Sequence, residues 1–218
     1  MGSGFGLRIF AFAGSFCILL GIASASLGYR GRQGEVFSML NHYISELGEL
    51  GVSRSARVFN LGLLFGGLLF IPFLIGLGLA FHSLLAWLGV TAGLLTVMGV
   101  SAVGLFPMNN MPAHARAAMI YFRGGLLMIF LFGLAILFQP PGTILVPKLL
   151  DLLSLAALII YAAFLILMAR ESQADHPPQA LKPPATPDRP EVVPLAILEW
   201  SVFLVSILWV TAVAVFLL

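Results

Sequence analysis

Six apolar runs, each about 20 residues long, constrain this chain more than any other feature. They cover residues 9–27, 58–80, 84–105, 119–138, 149–168 and 195–218. At about 1.5 Å per helical residue, such a run crosses about 30 Å of hydrocarbon. Lipid offers no hydrogen bonds to the backbone, so each run is expected to be a helix. Phe81, His82 and Ser83 leave room only for a tight hairpin between the second and third. Hydrophobic residues make up 60% of the chain and charged ones 9%, against roughly 25% charged in a soluble domain. Mean hydropathy is +1.06. The expectation is an all-α, polytopic integral membrane protein, a single membrane domain over residues 1–218. The first run is longer than a signal-peptide core and reads as a retained span. A net charge of +2, with no basic patch interleaved with aromatics, argues against a nucleic-acid partner. The single cysteine, Cys17, excludes an intrachain disulfide and a cysteine-based zinc cluster.

Six spans put both termini on one side of the membrane. That side holds Arg8, Lys148 and Asp151. The other holds Arg30, Arg32, Arg54, Arg57, Arg116, Arg123, Arg170, Lys182 and Arg189, with all the remaining acids. Cytoplasmic loops carry the excess of Lys and Arg. The loops 29–57, 106–118 and 170–194 are therefore expected in the cytoplasm, and both termini outside. Gly14, Gly21 and Gly28 recur along the first run, and Gly62/Gly66 and Gly89/Gly93 are GxxxG pairs. Small residues let helices approach closely, so these faces suit tight bundle packing, a lipid or solute groove, or a homo-oligomer contact. Pro72 is expected to kink the second helix. Residues 170–194 hold seven prolines among polar residues and read as a flexible, partly extended linker. His176 within it reads as solvated.

Residues 35–50 are polar and apolar by turns. On a wheel of 100° per residue, Val36, Leu40, Tyr43, Leu47 and Leu50 gather on one side, and Ser38, His42, Ser45, Glu46 and Glu49 on the other. That pattern predicts an amphipathic interfacial helix. Interfacial helices carry Lys and Arg on the wet face. Acids and a histidine there make better sense turned inward, toward Arg116 or Arg123. A solvated outer face is the plainer alternative. In the loop 106–118, Pro107 stops one helix and Pro112 suits the first turn of the next, with Asn110 or Met111 at the cap. His114 and Tyr121 then share a stripe, and His114 reads either as a capping or buried structural residue or as part of a site. Arg123, about two turns into its helix, must snorkel, pair with Glu199, Glu46 or Glu49, or meet a lipid headgroup. Asn60 is placed to bond across to another helix. Lys148 and Asp151 are spaced to satisfy each other. His82 lies about 30 Å of hydrocarbon away from His42 and His114, outside any shared metal site.

The stretch "YISELGELGVSRSARVFNLGLLFGGLL" followed by "GLFPMNNMPAHARAAMIYF" resembles the prokaryotic six-helix membrane family catalogued as domain of unknown function 998. The matching elements are Ser45-Glu46-Leu47-Gly48 after the first helix and Gly104-Leu105-Phe106-Pro107…His114 after the third. The resemblance implies a multi-pass protein of a prokaryotic inner or plasma membrane. A remoter likeness runs to the Frag/DRAM/Sfk-type membrane proteins. It implies a lipid-facing role without a catalytic mechanism, and a lumenal first loop where the charge count gives a cytoplasmic one.

Three functions fit the residues. The first is binding or remodelling of a lipid headgroup in a polar boundary pocket. His42, Ser45, Glu46 and His114 would be its catalytic set, with a histidine–carboxylate base and a serine nucleophile. Glu49, Asn60, Asn110, Arg116, Tyr121, Arg123 and Glu199 would be its ligand-binding set, the arginines holding phosphate. A variant places a metal on His42, His114 and a glutamate, although no HExxH motif is present. The second is a non-enzymatic scaffold or accessory protein. The third is a small-solute transporter, disfavoured by the lack of an evident repeat or paired broken helices. Membrane lipids are the expected partners. No cofactor is implied.

Overall fold

The six apolar runs fold as six helices: α1 (Ser3–Gly28), α2 (Ala56–Phe81), α3 (Leu84–Leu105), α4 (Met111–Leu137), α5 (Asp151–Gln173) and α6 (Pro194–Phe216). The structure is a computed structural model and describes residues 3–140, 142, 144–173 and 189–217. All six helices are long and apolar enough to cross a membrane. The protein is thus an all-α, multi-pass membrane protein. Its ends follow local chemistry. His82 stops α2 in the left-handed conformation, φ +47°, with its N–H donating to the Gly78 carbonyl. The Ser83 hydroxyl then caps α3 by accepting from the Ala86 N–H at 3.2 Å. Asn110 caps α4, accepting from the Ala113 N–H at 3.4 Å, with Pro112 in the first turn. That helix begins at Met111, well before residue 119 where its uninterrupted apolar run starts.

Each helix packs on the next in sequence, and α6 closes back on α1, so the bundle is a ring of six staves. The α1–α2 seam is made by glycine. A Cβ on Gly62 would stand 2.8 Å from the Cys17 carbonyl oxygen, and one on Gly14 would stand 2.8 Å from that of Gly66. On α3, Gly89 faces the Phe132 ring and Gly93 faces Leu74 and Met128. The glycine faces are therefore filled by this chain's own helices. The outside of the ring is apolar, with Phe16, Met98 and Leu152 each 65% exposed, as a lipid-facing surface requires.

On the side of the termini, the Arg8 guanidinium donates to the Leu217 carbonyl and ties α1 to the end of α6. Gln139 staples the α4–α5 connection. Its amide nitrogen donates to the Ile136 and Val146 carbonyls, both at 2.8 Å. Its amide oxygen accepts from the Leu145 and Val146 N–H groups. Lys148 and Asp151 do not pair as their spacing suggested. Neither Asp151 oxygen has a hydrogen-bond partner among the described residues, and Lys148 is exposed in the 3-10 turn that runs directly into α5.

Two expectations about the opposite side are corrected. Residues 35–50 do not form an amphipathic α-helix; their regular structure is a single 3-10 turn, Ile44–Gly48. Residues 170–194 are not all linker. The first four continue α5 to Gln173, and residues 189–193 dock against the first loop. The remainder of that stretch, with His176, lies outside the described residues.

Candidate functional site

The first loop runs from Tyr29 to Ser55 and is closed at its base by an antiparallel bridge between Tyr29 and Ser53. Turns at Gly34 (φ +82°) and Gly51 (φ +88°) reverse it, and left-handed backbone of this kind favours glycine. The reason it is not helical lies in its partners. A helix through this stretch would use the carbonyls of residues 40, 41 and 42. Each is already taken from the α6 end of the chain: Leu40 O by the Val193 N–H at 2.8 Å, Asn41 O by Arg189 at 2.8 Å, and His42 O by the Trp200 indole at 3.1 Å. The Ile44 N–H donates to Glu199 at 2.8 Å, and the Gly48 carbonyl accepts from Asn60 at 2.9 Å. The loop's polar backbone is thus satisfied by tertiary contacts, as buried groups require.

The resulting segment is inside out relative to an interfacial helix. His42 is 2% exposed, Glu46 6% and Glu49 8%, whereas Val36 is 68% and Leu40 55% exposed. The inward turn of the acids agrees with the sequence reading, but the receiving cations differ. Glu46 meets Arg189 in a bidentate pair, 2.9 and 2.8 Å. It also accepts from the Tyr43 N–H at 2.9 Å and the Tyr29 hydroxyl at 3.4 Å. Both carboxylate oxygens are therefore fully used. Burial lowers the pKa of Arg189, and the Glu46 pair more than offsets this, so the guanidinium stays above its usual range. Glu49 pairs with Arg32. Neither acid reaches Arg116 or Arg123.

An aromatic cluster sits under this pair. Phe37 packs on Tyr29, His42 and Trp200 with ring centres 5.2, 5.2 and 5.7 Å apart. His42 Nδ1 lies 3.2 Å from the Ser38 N–H. Its Nε2 is buried without a hydrogen-bond partner among the described residues, and the nearest carboxylate oxygen, of Glu35, is 4.0 Å away. Burial pulls the His42 pKa below its ordinary value; Glu46 opposes this and Arg189 reinforces it. Burial pushes the Tyr29 and Tyr43 phenols upward, helped by Glu46 and by Glu199 respectively.

The remaining expected site residues lie elsewhere in the fold. His114 Nδ1 bonds the Phe106 carbonyl at 2.9 Å, tying the start of α4 to the end of α3. No hydrogen bond, ion pair or ring contact among the described residues joins it to His42 or Glu46. Ser45 makes no hydrogen bond to either histidine. Among the described residues no three His, Cys, Asp or Glu side chains converge as a metal set. Asn110 is a cap, and Asn60 is a loop anchor. Glu199 caps the Ile44 N–H, and Tyr121 is buried inside the bundle. Arg116 bonds the Pro112 carbonyl at 3.0 Å and is exposed. Arg123 is exposed on the outer face of α4 and unpaired among the described residues. Three participants were missed: Tyr29, Arg189 and Asn109, whose side chain exchanges two hydrogen bonds with the Leu50 backbone, 2.8 and 2.9 Å. The one available signal for Arg189 was arithmetic: two buried carboxylates in the first loop need cations.

The arrangement separates charge by sign. Glu46, Glu49 and Glu199 point inward and are occupied, Glu35 and Glu171 are half-buried and Glu191 is exposed, while Arg30, Arg32, Arg54, Arg57, Arg116, Arg123 and Arg170 are exposed around the loop-side rim. In comparisons with known proteins, the family model described as a protein of unknown function (DUF998) matches residues 12–216. No curated protein and no solved structure matches.

Proposed function

This chain belongs to the DUF998 family of proteins of unknown function, and on that premise we propose that it binds anionic lipid headgroups at its loop-side boundary. One observation carries the reading: seven loop-side arginines are exposed, one of them, Arg32, paired with Glu49, whereas Glu191 is the one fully exposed loop-side acid among the described residues, because Glu46, Glu49 and Glu199 are buried. A guanidinium matches phosphate oxygens in pairs. Arg116 and Arg123 lie on one helix close to headgroup depth. Arg54 ends the first loop and Arg57 opens α2, on the same side of the bundle. Exposed Val36, Met39 and Leu40 give the first loop an apolar tip that enters the same boundary. The charge count supports a cytoplasmic side for this rim, where the leaflet is itself anionic.

Chemistry on the bound lipid is the weaker reading, because His42, Ser45, Glu46 and His114 do not share a reaction centre. Glu46 is saturated and structural. The role is holding lipid, with Arg116 and Arg123 as the principal headgroup contacts.

Native mass spectrometry with lipid analysis tests this. Each guanidinium near an anionic surface contributes about 1 kcal/mol. The pair of substitutions Arg116→Gln and Arg123→Gln should therefore lower the ratio of anionic to zwitterionic bound phospholipid by about thirtyfold. Arg54→Gln with Arg57→Gln should act in the same direction. If both double variants keep the wild-type ratio, the headgroup reading fails and a scaffold without lipid preference replaces it.

A further inference from the structure

Three loop-side acids are buried, and two of them hold a cation. Glu46 has Arg189 and Glu49 has Arg32. Glu199, 8% exposed, has no cationic partner among the described residues. It lies in the second turn of α6. Its one hydrogen bond among the described residues comes from the Ile44 N–H to Oε2, at 2.8 Å, which leaves Oε1 without one. The charged side chain that acts on it is Glu46, of like sign and already neutralised by Arg189. Arg123, the partner its sequence position suggested, is exposed on the outer face of α4. An unpaired carboxylate held out of water costs several kcal/mol, and a buried acid in a membrane helix is read first as a functional site. A metal ion would need more donors, and among the described residues no three His, Cys, Asp or Glu side chains gather. A proton needs no cavity and removes the charge.

Tyr43 supplies a second, independent observation. It is also 8% exposed, and its hydroxyl is buried with no hydrogen-bond partner among the described residues. Glu199 is the carboxylate that acts on it most strongly, and Glu171, half-buried in the last turn of α5, is the next. Glu46 follows, with Arg189 opposing it. On the inner side, Tyr121 of α4 faces Glu199. The free hydroxyl thus stands in the field of one carboxylate that is buried and one that is partly open to solvent. We propose that Glu199 is a proton-binding site, occupied in the folded protein and reached from the loop side by way of Glu171 and the Tyr43 hydroxyl. Glu171 takes a proton from water. The Tyr43 oxygen accepts it while the hydroxyl's own proton passes to Oε1 of Glu199, so one O–H bond forms for each that breaks and Tyr43 ends unchanged. Side-chain rotation must bring the groups together, because the hydroxyl bonds neither carboxylate at rest. Oε2 keeps the Ile44 N–H throughout. The proposal stands apart from the headgroup reading and does not rest on it.

Infrared spectroscopy of the purified full chain in an ester-free detergent decides it. Solvated glutamates ionise near pH 4.3, so at pH 7 they give no protonated-carboxyl C=O band. Wild type should show one, and labelling glutamate with carbon-13 should shift it. Glu199→Gln, which still offers an oxygen to the Ile44 N–H, should lose the band, and Asp151→Asn should keep it. Glu199→Asp is the second variant should the first not fold: it restores an acid but not the label, so the band should remain and no longer shift. Wild type without a label-sensitive band at pH 7 overturns the site. So does a label-sensitive band that folded Glu199→Gln retains. The route is tested by Tyr43→Phe, which removes an unpaired buried hydroxyl and so leaves the fold intact. The band should be undiminished at pH 7. Its decay after a jump to pH 10 should slow by about a hundredfold, the low end of what a positioned proton-transfer group contributes. Decay at the wild-type rate overturns the Tyr43 route.

Discussion

Glu46 accepts four hydrogen bonds, two of them from one guanidinium. A carboxylate that is 6% exposed is tolerable only with this degree of pairing. His42 beside it is less well served, since its Nε2 has no hydrogen-bond partner among the described residues. The groups facing it are Glu35, Ser38, Tyr29 and Phe37 from its own loop, Arg189 from the segment before α6, and Glu46. Burial, the largest influence, holds its pKa below the ordinary 6.5. A depressed histidine favours the folded state while neutral in both states. That contribution is complete above the unfolded value of about 6.5 and falls as pH drops toward the lowered folded value. Backbone amide exchange at Tyr43 and Ile44 should accordingly speed up on acidification from pH 7 to pH 5, beyond the intrinsic pH effect. His42→Gln should flatten that dependence. Equal slopes in the two proteins would remove His42 as its source.

Among the elements, the seam between α1 and α2 is the one most dependent on particular residues. A Cβ on Gly62 would stand 2.8 Å from the Cys17 carbonyl oxygen and 3.3 Å from the Gly21 Cα, so any side chain there meets backbone, which cannot rotate away. Gly62→Val should destabilise the bundle by about 1–3 kcal/mol, seen as a fall of several degrees in the detergent-solubilised melting temperature. Gly6→Ala serves as the control, since a Cβ there has nothing within 4 Å. A melting temperature unchanged by Gly62→Val would mean that the two helices do not pack through this face. The six helices were legible in the sequence because a 20-residue apolar run has one way to satisfy its backbone in lipid. The first loop was not. Its wheel of alternating faces is real, but the carbonyls that would have closed a helix bond Arg189, Val193 and Trp200, about 150 residues away in the chain. No local pattern announces a competitor at that distance. The inward turn of the acids was legible, since acids suit an outer interfacial face poorly; their partner was not, because several arginines were equally plausible from spacing alone. The Asn110 cap could be read from the sequence because a proline-marked helix start is a local signal.

At the scale of the molecule, charge is distributed by side as well as by depth. Four ionisable side chains, Arg8, His82, Lys148 and Asp151, mark the termini side. The loop side carries the arginine rim, the occupied acids and the docked segment before α6. On the proposed headgroup reading this asymmetry ties orientation to function: a rim that selected anionic headgroups would be useful in the leaflet that contains them, and the positive-inside count points to the cytoplasmic leaflet. Helix α5 offers a direct measurement because a residue is exposed at each end, Lys148 in the 3-10 turn that leads into it and Ser172 in its last turn. In a Cys17→Ala background, Lys148→Cys should react with a membrane-impermeant thiol reagent on intact cells, and Ser172→Cys should react only after permeabilisation. The opposite pattern would invert the topology and set the arginines against the outer leaflet, where selection of a cytoplasmic-leaflet lipid is impossible. The headgroup experiment in detergent would still report chemistry, but the biological side of the proposal would have to be rebuilt around an external ligand.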